Sequence, residues 1–388
     1  MASPIEATLV IYPPVEWGGL FQRPQHLAIS LSRYFRSVVY LEPAGLRNPH
    51  LKDIKRLRAL FAKRKACSTP LPRNLLVKRL PLIPLQGPGL VEKLNASILD
   101  AFLSRLKERC KGGVILWVGA PAPFLRKTNA LSGDTPLVFD WMDDYALFQQ
   151  LSHRVVSMQF ELLLRADLVF TSSKRLLEEA EGRGAKRAFL LPNGVDINHW
   201  RAGKGGKLQE RLGVNGPIVG YFGTISEWMD GDLIREMALK RPGLNFVFIG
   251  PRADGGSLDY VFRPHNVFHV SQVNYALLPS LANDFDLCWM PFKINSLTEA
   301  INPVKIYEYL AMGKPVVSPP FPDLLGLEGL VHFARSKEEW INGLEKGLLE
   351  VNMAEAKRRR QEAIKRFQWS HIAKDAARAL SASGLARF

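Results

Sequence analysis

A short segment near residue 300 combines residue types that bind phosphate and sugar hydroxyls. In "INPVKIYEYLAMGKPVV", Lys305 and Glu308 lie three positions apart near the start of an apolar, helix-like run. Pro303 suits the first helical turn and Gly313 the position after the last one, which predicts a helix over 303–312. The positive N-terminus of a helix attracts phosphate, and Lys305 adds a full charge there. Glu308 can accept hydrogen bonds from two adjacent hydroxyls, such as those of a ribose.

Lys305 and Glu308 also fit a simpler structural role. Oppositely charged residues three positions apart on a helix surface form ion pairs that stabilise the helix by about 0.2–0.5 kcal/mol. The spacing alone does not decide between an exposed ion pair and a ligand site.

Acidic residues follow an apolar run in the first half of the chain. The segment "LVFDWMDDYALF" predicts a strand that ends near Asp140 and is followed by Asp143 and Asp144. A carboxylate within hydrogen-bond reach of an attacking hydroxyl can act as a general base, which contributes about 10²–10⁴ in rate. Asp143 and Asp144 are the candidates for this catalytic role. The alternative for either residue is to cap the helix that follows.

A glycine pair and a histidine follow the first predicted strand. Gly18 and Gly19 lie in "WGGLFQRPQHLA", where missing side chains let the backbone approach a ligand closely. A plain tight turn is the alternative. His26 falls in the first turn of the next predicted helix, where it either faces a ligand or packs in the core.

These candidate residues need elements that bring them together. The first half alternates strand-like runs such as "ATLVIY", "SVVYLEP" and "GVILWVG" with helical patterns, and the pattern begins again at "PIVGYFGTI". This alternation predicts parallel sheets, and the nearly continuous apolar strands indicate that helices cover both faces. We expect an α/β protein of two Rossmann-like parallel-sheet domains with a ligand-binding cleft between them.

Domain boundaries follow from chain length and from one polar segment. A chain of 388 residues is longer than one core usually supports, so two domains are expected. The turn dipeptide Asn193-Gly194 and the glycine- and lysine-rich stretch after it predict a linker at 192–207. The two domains are then 1–191 and 208–365.

Composition places the chain among ordinary globular proteins. Apolar residues make up 47% and charged residues 23%, and no run of about 18 uncharged apolar residues predicts a membrane-spanning helix. Three widely spaced cysteines fit neither a disulfide framework nor a metal cluster, which indicates a reducing compartment. The N-terminus lacks the pattern of a signal peptide, so a cytoplasmic location is expected.

The net charge of +15 predicts an anionic partner. A basic amphipathic segment spans 47–79, with aliphatic residues at helical spacing among lysines and arginines. This pattern favours an anionic membrane surface over nucleic acid, because the segment offers no aromatic stacking platform. The alternative is a solvated helix whose apolar stripe packs on the protein's own core.

Several common chemistries have no matching motif. The eight histidines show no HExxH or CxxC pattern, so a metal site is not expected. No GxGxxG follows the first strand, which disfavours a nicotinamide-dependent dehydrogenase. The motifs GxSxG and GxxxxGK[ST] are absent from the sequence as well.

Several segments together resemble one protein family. "NPVKIYEYLAMGKPVV" resembles the donor-nucleotide segment of GT-B-fold glycosyltransferases, in particular the bacterial group that makes surface polysaccharides and teichuronic-acid-like polymers. Further segments resemble that group in the same order: "WGGLFQRPQHLA", "FDWMDDYALF", "ADLVFTSSKRLLE", "LLPNGVDINHW" and "VGYFGTISEWMDGDLI". The resemblance covers nearly the whole chain and implies a GT-B fold with the donor on the second domain and the acceptor on the first.

The resemblance also implies roles for individual residues. Glu308 would hold the ribose hydroxyls of a nucleotide sugar. Lys305 and the backbone N–H groups of Gly223 and Thr224 would hold its diphosphate.

The donor-binding segment implied by the resemblance begins at Asn302 and Pro303. Retaining relatives usually carry a second glutamate eight positions before the ribose-binding one. Here that position is Ala300, and Glu299 is displaced by one. The stereochemical outcome of the reaction is therefore left open.

The expected function is transfer of a sugar from a nucleotide-diphosphate sugar, UDP-linked, to a saccharide or lipid-linked acceptor. The resemblance assigns this reaction to cell-surface polysaccharide biosynthesis at the inner face of a bacterial membrane, with a C-terminal helix at about 366–388 packed on the first domain. No metal or other cofactor is expected, because the helix dipole and Lys305 can balance the leaving-group charge. The alternatives are a nucleotide-sugar epimerase of the same fold and a non-catalytic scaffold or binding protein.

Overall fold

The computed structural model describes residues 4–18, 20–46, 48, 71–133, 135–148 and 151–386. The chain divides into two compact units: Met1–Pro192 with Trp369–Phe388, and Asn193–Gln368. Gly19 and most of the basic segment 47–79 lie outside the described residues, so the predictions made for them are not addressed by the structure.

A parallel sheet forms the framework of the first unit. Its seven strands have the spatial order β3-β2-β1-β4-β5-β6-β7. They are β1 (Ile5–Tyr12), β2 (Phe35–Glu42), β3 (Leu75–Arg79), β4 (Val114–Val118), β5 (Leu137–Trp141), β6 (Leu168–Thr171) and β7 (Ala188–Leu190). Every residue of β4 and β5 is buried, as expected for strands with helices on both faces.

Helices cover both faces of this sheet. They are α1 (Arg23–Leu31), α2 (Gly89–Arg109), α3 (His153–Arg165) and α4 (Lys174–Gly182). Leu116 of β4 packs with Leu99 of α2 and Leu162 of α3 on one face. Its neighbour Ile115 points to the opposite face and packs with Leu27 of α1. The period of two along each strand therefore gives the first unit two separate apolar cores.

The second unit has its own parallel sheet. Its six strands have the order β10-β9-β8-β11-β12-β13. They are β8 (Ile218–Phe222), β9 (Asn245–Ile249), β10 (Val267–Val270), β11 (Leu287–Trp289), β12 (Val316–Ser318) and β13 (His332–Phe333). The helices are α5 (Ile197–Arg201), α6 (Leu208–Leu212), α7 (Gly231–Lys240), α8 (Leu278–Ala282), α9 (Ser296–Glu299), α10 (Val304–Met312), α11 (Lys337–Leu349) and α12 (Ala354–Ala363). One continuous apolar core joins α5, α6, α7, α8, α10 and α11 to the sheet.

Most of the segment predicted as a linker is an ordered part of the second unit. Helix α5 buries Ile197 and Trp200 in the core of this unit. Further on, the backbone N–H groups of Gly206 and Leu208 donate hydrogen bonds to the Asp284 carboxylate. The glycine-rich composition of 192–207 therefore coexists with fixed structure, because an apolar anchor and a carboxylate hold the backbone.

The last helix, α13 (Trp369–Ala382), belongs to the first unit. It packs against α1, and the Trp369 ring stacks on His26 with centroids 5.0 Å apart. Ala373 and Ala377 are buried in the same core as Leu27. The face of α13 that carries these small side chains thus allows a close approach to α1.

Candidate functional site

Two glycines mark the carboxyl ends of neighbouring strands in the second unit. Gly223 follows β8 with φ of +134°, and Gly250 follows β9 with φ of +149°. A Cβ atom on Gly250 would lie 2.1 Å from the carbonyl oxygen of Gly223, so the two turns pack directly on one another. A Cβ atom on Gly223 would lie 2.1 Å from Cε of Lys305. The missing side chain at 223 therefore makes room for the lysine.

Helix α10 begins beside this glycine loop. It runs over Val304–Met312 with Pro303 as N-cap, and it ends at Gly313, whose φ is +78°. The predicted helix 303–312 agrees with the structure to within one residue. Pro303 has no side-chain donor or acceptor with which to cap the helix, so the first backbone N–H groups of α10 lack a capping side chain.

Lys305 places a cation against the Gly223 loop. Its Nζ atom lies 5.7 Å from the centre of the Tyr221 ring. Burial lowers the pKa of this ammonium group, while the charge of Glu308 raises it. Lys305 forms no hydrogen bond or ion pair with any residue that the structure describes. The simpler interpretation of Lys305 and Glu308 as a surface ion pair is therefore not supported.

Glu308 is buried one turn further along α10. Its side chain is 8% exposed, and burial raises its pKa to about 7. Lys305 and the Trp200 side chain oppose this rise. The indole Nε1 of Trp200 is buried and has no hydrogen-bond partner of standard geometry among the described residues. A nearly desolvated carboxylate beside an indole N–H can form hydrogen bonds with a polar ligand.

Asn302 anchors the segment in front of α10 through protein contacts. Its side-chain oxygen accepts a hydrogen bond from the backbone N–H of Asn193 at 3.2 Å. Its amide nitrogen lies 3.1 Å from the Tyr307 hydroxyl and 3.3 Å from Asp323. The side chain is buried, so Asn302 holds the start of α10 in place, and its polar atoms are already used.

Thr224 continues the glycine loop. Its carbonyl oxygen accepts a hydrogen bond of 3.0 Å from the Tyr221 hydroxyl. Together with the backbone N–H of Gly223, which donates to Ile249 at 2.9 Å, this bond fixes the turn after β8. The structure thus brings Gly223, Thr224, Lys305 and Glu308 to one end of the second sheet.

The position that carries a glutamate in many relatives is apolar here. Ala300 is 2% exposed and ends the short helix α9, whereas Glu299 points to solvent. The capping box between Asn295 and Thr298 fixes this turn. Glu299 therefore does not replace the missing carboxylate in the buried position.

An acidic cluster lies where β5 ends in the first unit. Asp140, 1% exposed, forms a buried ion pair with Arg23 at 2.7 Å. The same guanidinium donates to the carbonyl oxygens of Leu191 and Pro192 at 2.9 and 3.1 Å. The sequence interpretation gave Arg23 no role, although a cation in the first turn of α1 opposes the helix dipole and so indicates a specific partner.

Asp143 and Asp144 have different environments. The Asp144 side chain accepts hydrogen bonds from the backbone N–H of Ala146 at 3.0 Å and from Gln159 at 2.9 Å. It thus caps the short 3₁₀ turn Tyr145–Leu147, which is the alternative considered for this pair. Asp143 makes no hydrogen bond within the described part of the chain. Burial raises its pKa to about 6, an effect that Arg23 opposes.

The loop after β1 contains the remaining candidates. A Cβ atom on Gly18 would meet no atom of the described residues within 4 Å, so none of them fills that space. Gly19 lies outside the described residues. His26 is 6% exposed; its ring stacks on Trp369 at 5.0 Å and meets Phe21 edge-on at 4.6 Å. His26 therefore has a packing environment.

Aromatic residues that sequence reasoning missed surround Glu308. Trp200 is 2% exposed and stacks on Phe222 at 4.7 Å. His199 stacks on Tyr275 with centroids 4.0 Å apart, and its Nε2 atom is buried without a partner in the described residues. Burial lowers the His199 pKa. The motif "PNGVDINHW" contains Trp200, but only the fold brings it against α10.

The described residues contain neither a cluster of metal ligands nor a helix suited to span a membrane. No group of three or more histidine, cysteine, aspartate or glutamate side chains there is arranged to hold a metal ion. None of the helices described is long and apolar enough to cross a membrane.

The fold matches solved structures over nearly its whole length. A sucrose-phosphate synthase from Thermosynechococcus elongatus matches with a TM-score of 0.69 at 13% identity, covering 97% of this chain and 98% of that one. Anabaena Alr3699/HepE in complex with UDP-glucose matches with a TM-score of 0.65 at 19% identity, covering 97% and 99%. The chain has the GT-B fold. The fold class predicted from the sequence, with its two Rossmann-like parallel-sheet domains, is thereby confirmed.

A curated relative matches part of the chain. TuaH of Bacillus subtilis, named as a candidate glycosyltransferase of teichuronic acid biosynthesis, is 28% identical. The alignment covers 55% of this chain and 56% of TuaH, so the chain spans about half the length of this relative. No protein-family model matches the chain. The likeness to solved structures over nearly the whole chain thus establishes the GT-B fold.

Proposed function

We propose that the protein is a glycosyltransferase. It moves a sugar from a nucleotide-diphosphate sugar, UDP-linked, to a saccharide or lipid-linked acceptor in the biosynthesis of a cell-surface polysaccharide. The observation that carries this proposal is the position of Lys305 against Gly223, with Glu308 one turn further along α10.

The proposed donor site lies at the carboxyl end of the second sheet. The N-terminus of α10 and the ammonium group of Lys305 supply positive charge for a diphosphate, and the glycine at 223 leaves the room in which the Lys305 side chain lies. Glu308 is placed to accept hydrogen bonds from the ribose hydroxyls. The indole of Trp200, which favours the charged form of Glu308, lies in the same region.

The comparisons support the substrate class. The Anabaena protein that shares the fold has been solved with UDP-glucose, and TuaH bears a name from surface-polymer biosynthesis. A parallel sheet with glycine turns and a cationic helix start fits the same kind of donor here. These likenesses favour UDP as the nucleotide and a cell-surface polymer as the product.

The proposed catalytic base is Asp143. Its carboxylate is unused by the described residues, whereas that of Asp144 caps a turn. A base takes the proton of the attacking hydroxyl most effectively when its pKa lies near the working pH, and burial moves the Asp143 pKa in that direction. The proposed reaction needs no metal ion, because Lys305 and α10 can balance the charge on the departing diphosphate.

The proposed location follows from the acceptor. A lipid-linked acceptor is reached from the cytoplasm at the inner face of the plasma membrane, where a net charge of +15 favours peripheral contact with anionic lipids. Vesicle sedimentation with and without anionic lipid measures this contact.

Calorimetric titration with UDP, GDP, TDP and CDP tests the donor site. We expect micromolar affinity for UDP, a loss of about tenfold or more for Lys305→Ala and for Glu308→Ala, and no loss for Lys346→Ala. Lys346 is an exposed lysine on α11 and serves as the charge-matched control. Absence of binding by all four nucleotides would refute the glycosyltransferase proposal.

Product analysis separates the two rival functions. With a UDP-sugar and a saccharide acceptor, a transferase releases UDP and lengthens the acceptor. An epimerase of the same fold leaves a free nucleotide sugar as its product. A non-catalytic scaffold would bind no donor productively, and Asp143→Ala would then preserve its biological role.

A further inference from the structure

The first unit contains a cavity that is separate from the acidic cluster. Its volume is about 420 Å³. The residues that line it come from the chain segments that follow β3, β4 and β5, so it lies towards the carboxyl ends of these strands. They are Gly87, Gly89, Glu92, Arg126, Lys127, His153, Arg154 and Ser157. We name this space the Arg126 cavity.

The lining of the Arg126 cavity has an excess of positive charge. Arg126, Lys127 and Arg154 are cations, and Glu92 is the one carboxylate among the lining residues just given. Arg154 pairs with Glu92 at 2.7 Å, and Arg126 donates to the Ser157 hydroxyl at 3.0 Å and pairs with Glu161 outside the lining. The charges on these two arginines are thus partly balanced within the protein.

Lys127 and His153 have no such partner. Neither forms a hydrogen bond or ion pair with a residue in the described ranges. Both side chains are exposed and line the same space as the two arginines. The Arg126 cavity therefore offers the Lys127 ammonium group and a ring nitrogen of His153, which the described residues leave free for an anion.

The start of α3 adds to this positive field. His153 and Arg154 occupy the first turn of α3, which contains no acidic residue, and the N-cap Ser152 makes no side-chain capping bond. Basic residues at a helix N-terminus oppose the helix dipole, whereas an anion there is stabilising. An anionic ligand in the Arg126 cavity would be attracted by the basic side chains and by the positive N-terminus of α3.

The residues that line the Arg126 cavity indicate which kind of anion fits it. The one ring among the lining residues given is the imidazole of His153, and no phenylalanine, tyrosine or tryptophan is among them to form a larger stacking platform for a nucleobase. Guanidinium groups and a serine hydroxyl are typical phosphate ligands. The ligand chemistry that fits is a phosphate group on a small or flexible carrier.

Apolar side chains beside the cavity indicate what the phosphate is attached to. Leu90, next to the lining residue Gly89, is 80% exposed, and Leu94 one turn later on α2 is 48% exposed. Leu85, just before Gly87, is 43% exposed. Scattered exposed leucines are ordinary, but three within ten positions beside a cationic cavity fit an amphiphilic ligand.

We propose that the Arg126 cavity binds a phosphate ester, and that this ester joins the acceptor saccharide to its lipid. The first part depends only on the cavity and its cations. The second part rests on the proposed glycosyltransferase function, which it extends by giving the acceptor a charged phosphate.

Two probes distinguish a lipid-borne from a soluble phosphate ester. The first is phosphatidic acid in phosphatidylcholine vesicles, measured by sedimentation. The second is glucose 1-phosphate, measured by calorimetry against glucose. We expect the full-length protein to bind the phosphatidic acid vesicles, and Lys127→Glu and Arg126→Gln to weaken this binding about tenfold. Binding of glucose 1-phosphate alone, with the same loss in both variants, would support the phosphate site but overturn the lipid assignment.

Lys107→Glu provides the matched control. Lys107 is also exposed, and it lies near the opposite end of α2, roughly 27 Å from Gly89 at about 1.5 Å of rise per residue. The Lys127→Glu variant removes no described hydrogen bond, so it should fold normally. If Lys107→Glu weakened binding as much as Lys127→Glu did, the interaction would be a general charge effect and the proposal would be wrong.

UDP binding on the same samples separates this inference from the proposed function. All three variants should bind UDP as the unmodified protein does, because the donor site lies in the other unit. UDP binding without binding of either phosphate probe would overturn the inference alone. If the protein bound a phosphate probe but not UDP, the cavity would still be a phosphate site. Its proposed role in holding the acceptor of a glycosyltransferase would then be wrong.

Discussion

The side chain of Lys305 occupies the space that a side chain on Gly223 would need. A Cβ atom at 223 would lie 2.1 Å from Lys305 Cε and 2.8 Å from Nζ, although the two residues are 82 positions apart in the chain, between 223 and 305. The turn after β8 and the first turn of α10 are thus fitted to each other. This contact joins the two parts of the proposed diphosphate site.

Gly223→Ala should disturb that contact. The added methyl group would displace Lys305, and φ of +134° is unfavourable for alanine, so we expect a stability loss of about 1–3 kcal/mol. UDP affinity should fall about tenfold or more, as measured by calorimetry. Gly243→Ala is the control, because a Cβ atom there meets nothing within 4 Å. Equal UDP affinity in the unmodified protein and Gly223→Ala would contradict the proposed site.

Glu308 should make stability depend on pH. Burial raises its pKa from 4.5 to about 7 in the folded protein, so the unfolded chain ionises first as pH rises. The free energy of unfolding is therefore highest below pH 4.5 and decreases as pH rises towards 7, by about 3 kcal/mol from this group. Glu308→Gln removes this dependence and should be relatively more stable at pH 8 than at pH 5. Urea unfolding at the two pH values measures the difference.

The exposed Glu227 supplies the control for that experiment. Glu227→Gln lacks the burial that shifts Glu308, so its stability relative to the unmodified protein should change little between pH 5 and pH 8. A parallel response of Glu227→Gln and Glu308→Gln would show that the effect is not specific to the buried carboxylate.

Asp143 and Asp144 should respond differently to the same substitution. Asp143→Ala is expected to lower kcat by about 10²–10⁴ with little change in stability. Asp144→Ala removes the cap on Tyr145–Leu147 and should cost about 1 kcal/mol while retaining more activity. The assay is UDP release with an acceptor, combined with urea unfolding. A larger activity loss for Asp144→Ala would reverse the assignment.

The pH profile of activity provides a second test of Asp143. A base must be ionised, and the Asp143 pKa is raised to about 6, so kcat/KM should decrease as pH falls through 6. Residual activity of Asp143→Ala should lack this step. A profile that is flat between pH 5 and pH 7 in the unmodified protein would count against Asp143 as the base.

Arg23 should be essential for stability. Arg23→Met leaves Asp140 buried without its partner, which is expected to cost about 3–5 kcal/mol. Arg36→Met is the matched control, because its ion pair with Glu6 is exposed and is worth about 0–1 kcal/mol. Urea unfolding measures both variants. Similar losses of stability in the two variants would show that the buried Arg23–Asp140 pair contributes no more than an exposed ion pair.

The sequence and the structure contributed different parts of this description. The alternation of apolar strands with helical patterns was sufficient to predict two parallel sheets. Strands that are buried on both faces consist almost entirely of apolar residues, and this composition is visible in the sequence. The proline and glycine that flank α10 likewise predicted its ends to within one residue. Such signals are local, since each depends on residues that are neighbours in the chain.

The predictions for Asn302 and for the linker were made from local signals alone and stay predictions. Asn302 belongs to the donor-like motif, yet its amide bonds to Asn193, Tyr307 and Asp323. The glycine-rich stretch within 192–207 has the composition of a flexible linker, yet Trp200 anchors it in a core. Asn193 lies far from Asn302 in the sequence, and the core around Trp200 is built from many separate segments, so composition alone did not reveal these contacts.

The sequence by itself therefore determined the α/β class, the bounds of α10 and the presence of Lys305 and Glu308 on it. Only the tertiary structure decided that Lys305 lies against Gly223, that Glu308 is buried beside Trp200 and that Asp144 is used as a cap while Asp143 is not. The physical reason is that secondary structure follows from neighbouring residues, whereas burial, pKa and hydrogen-bond partners depend on which distant segments the fold packs together.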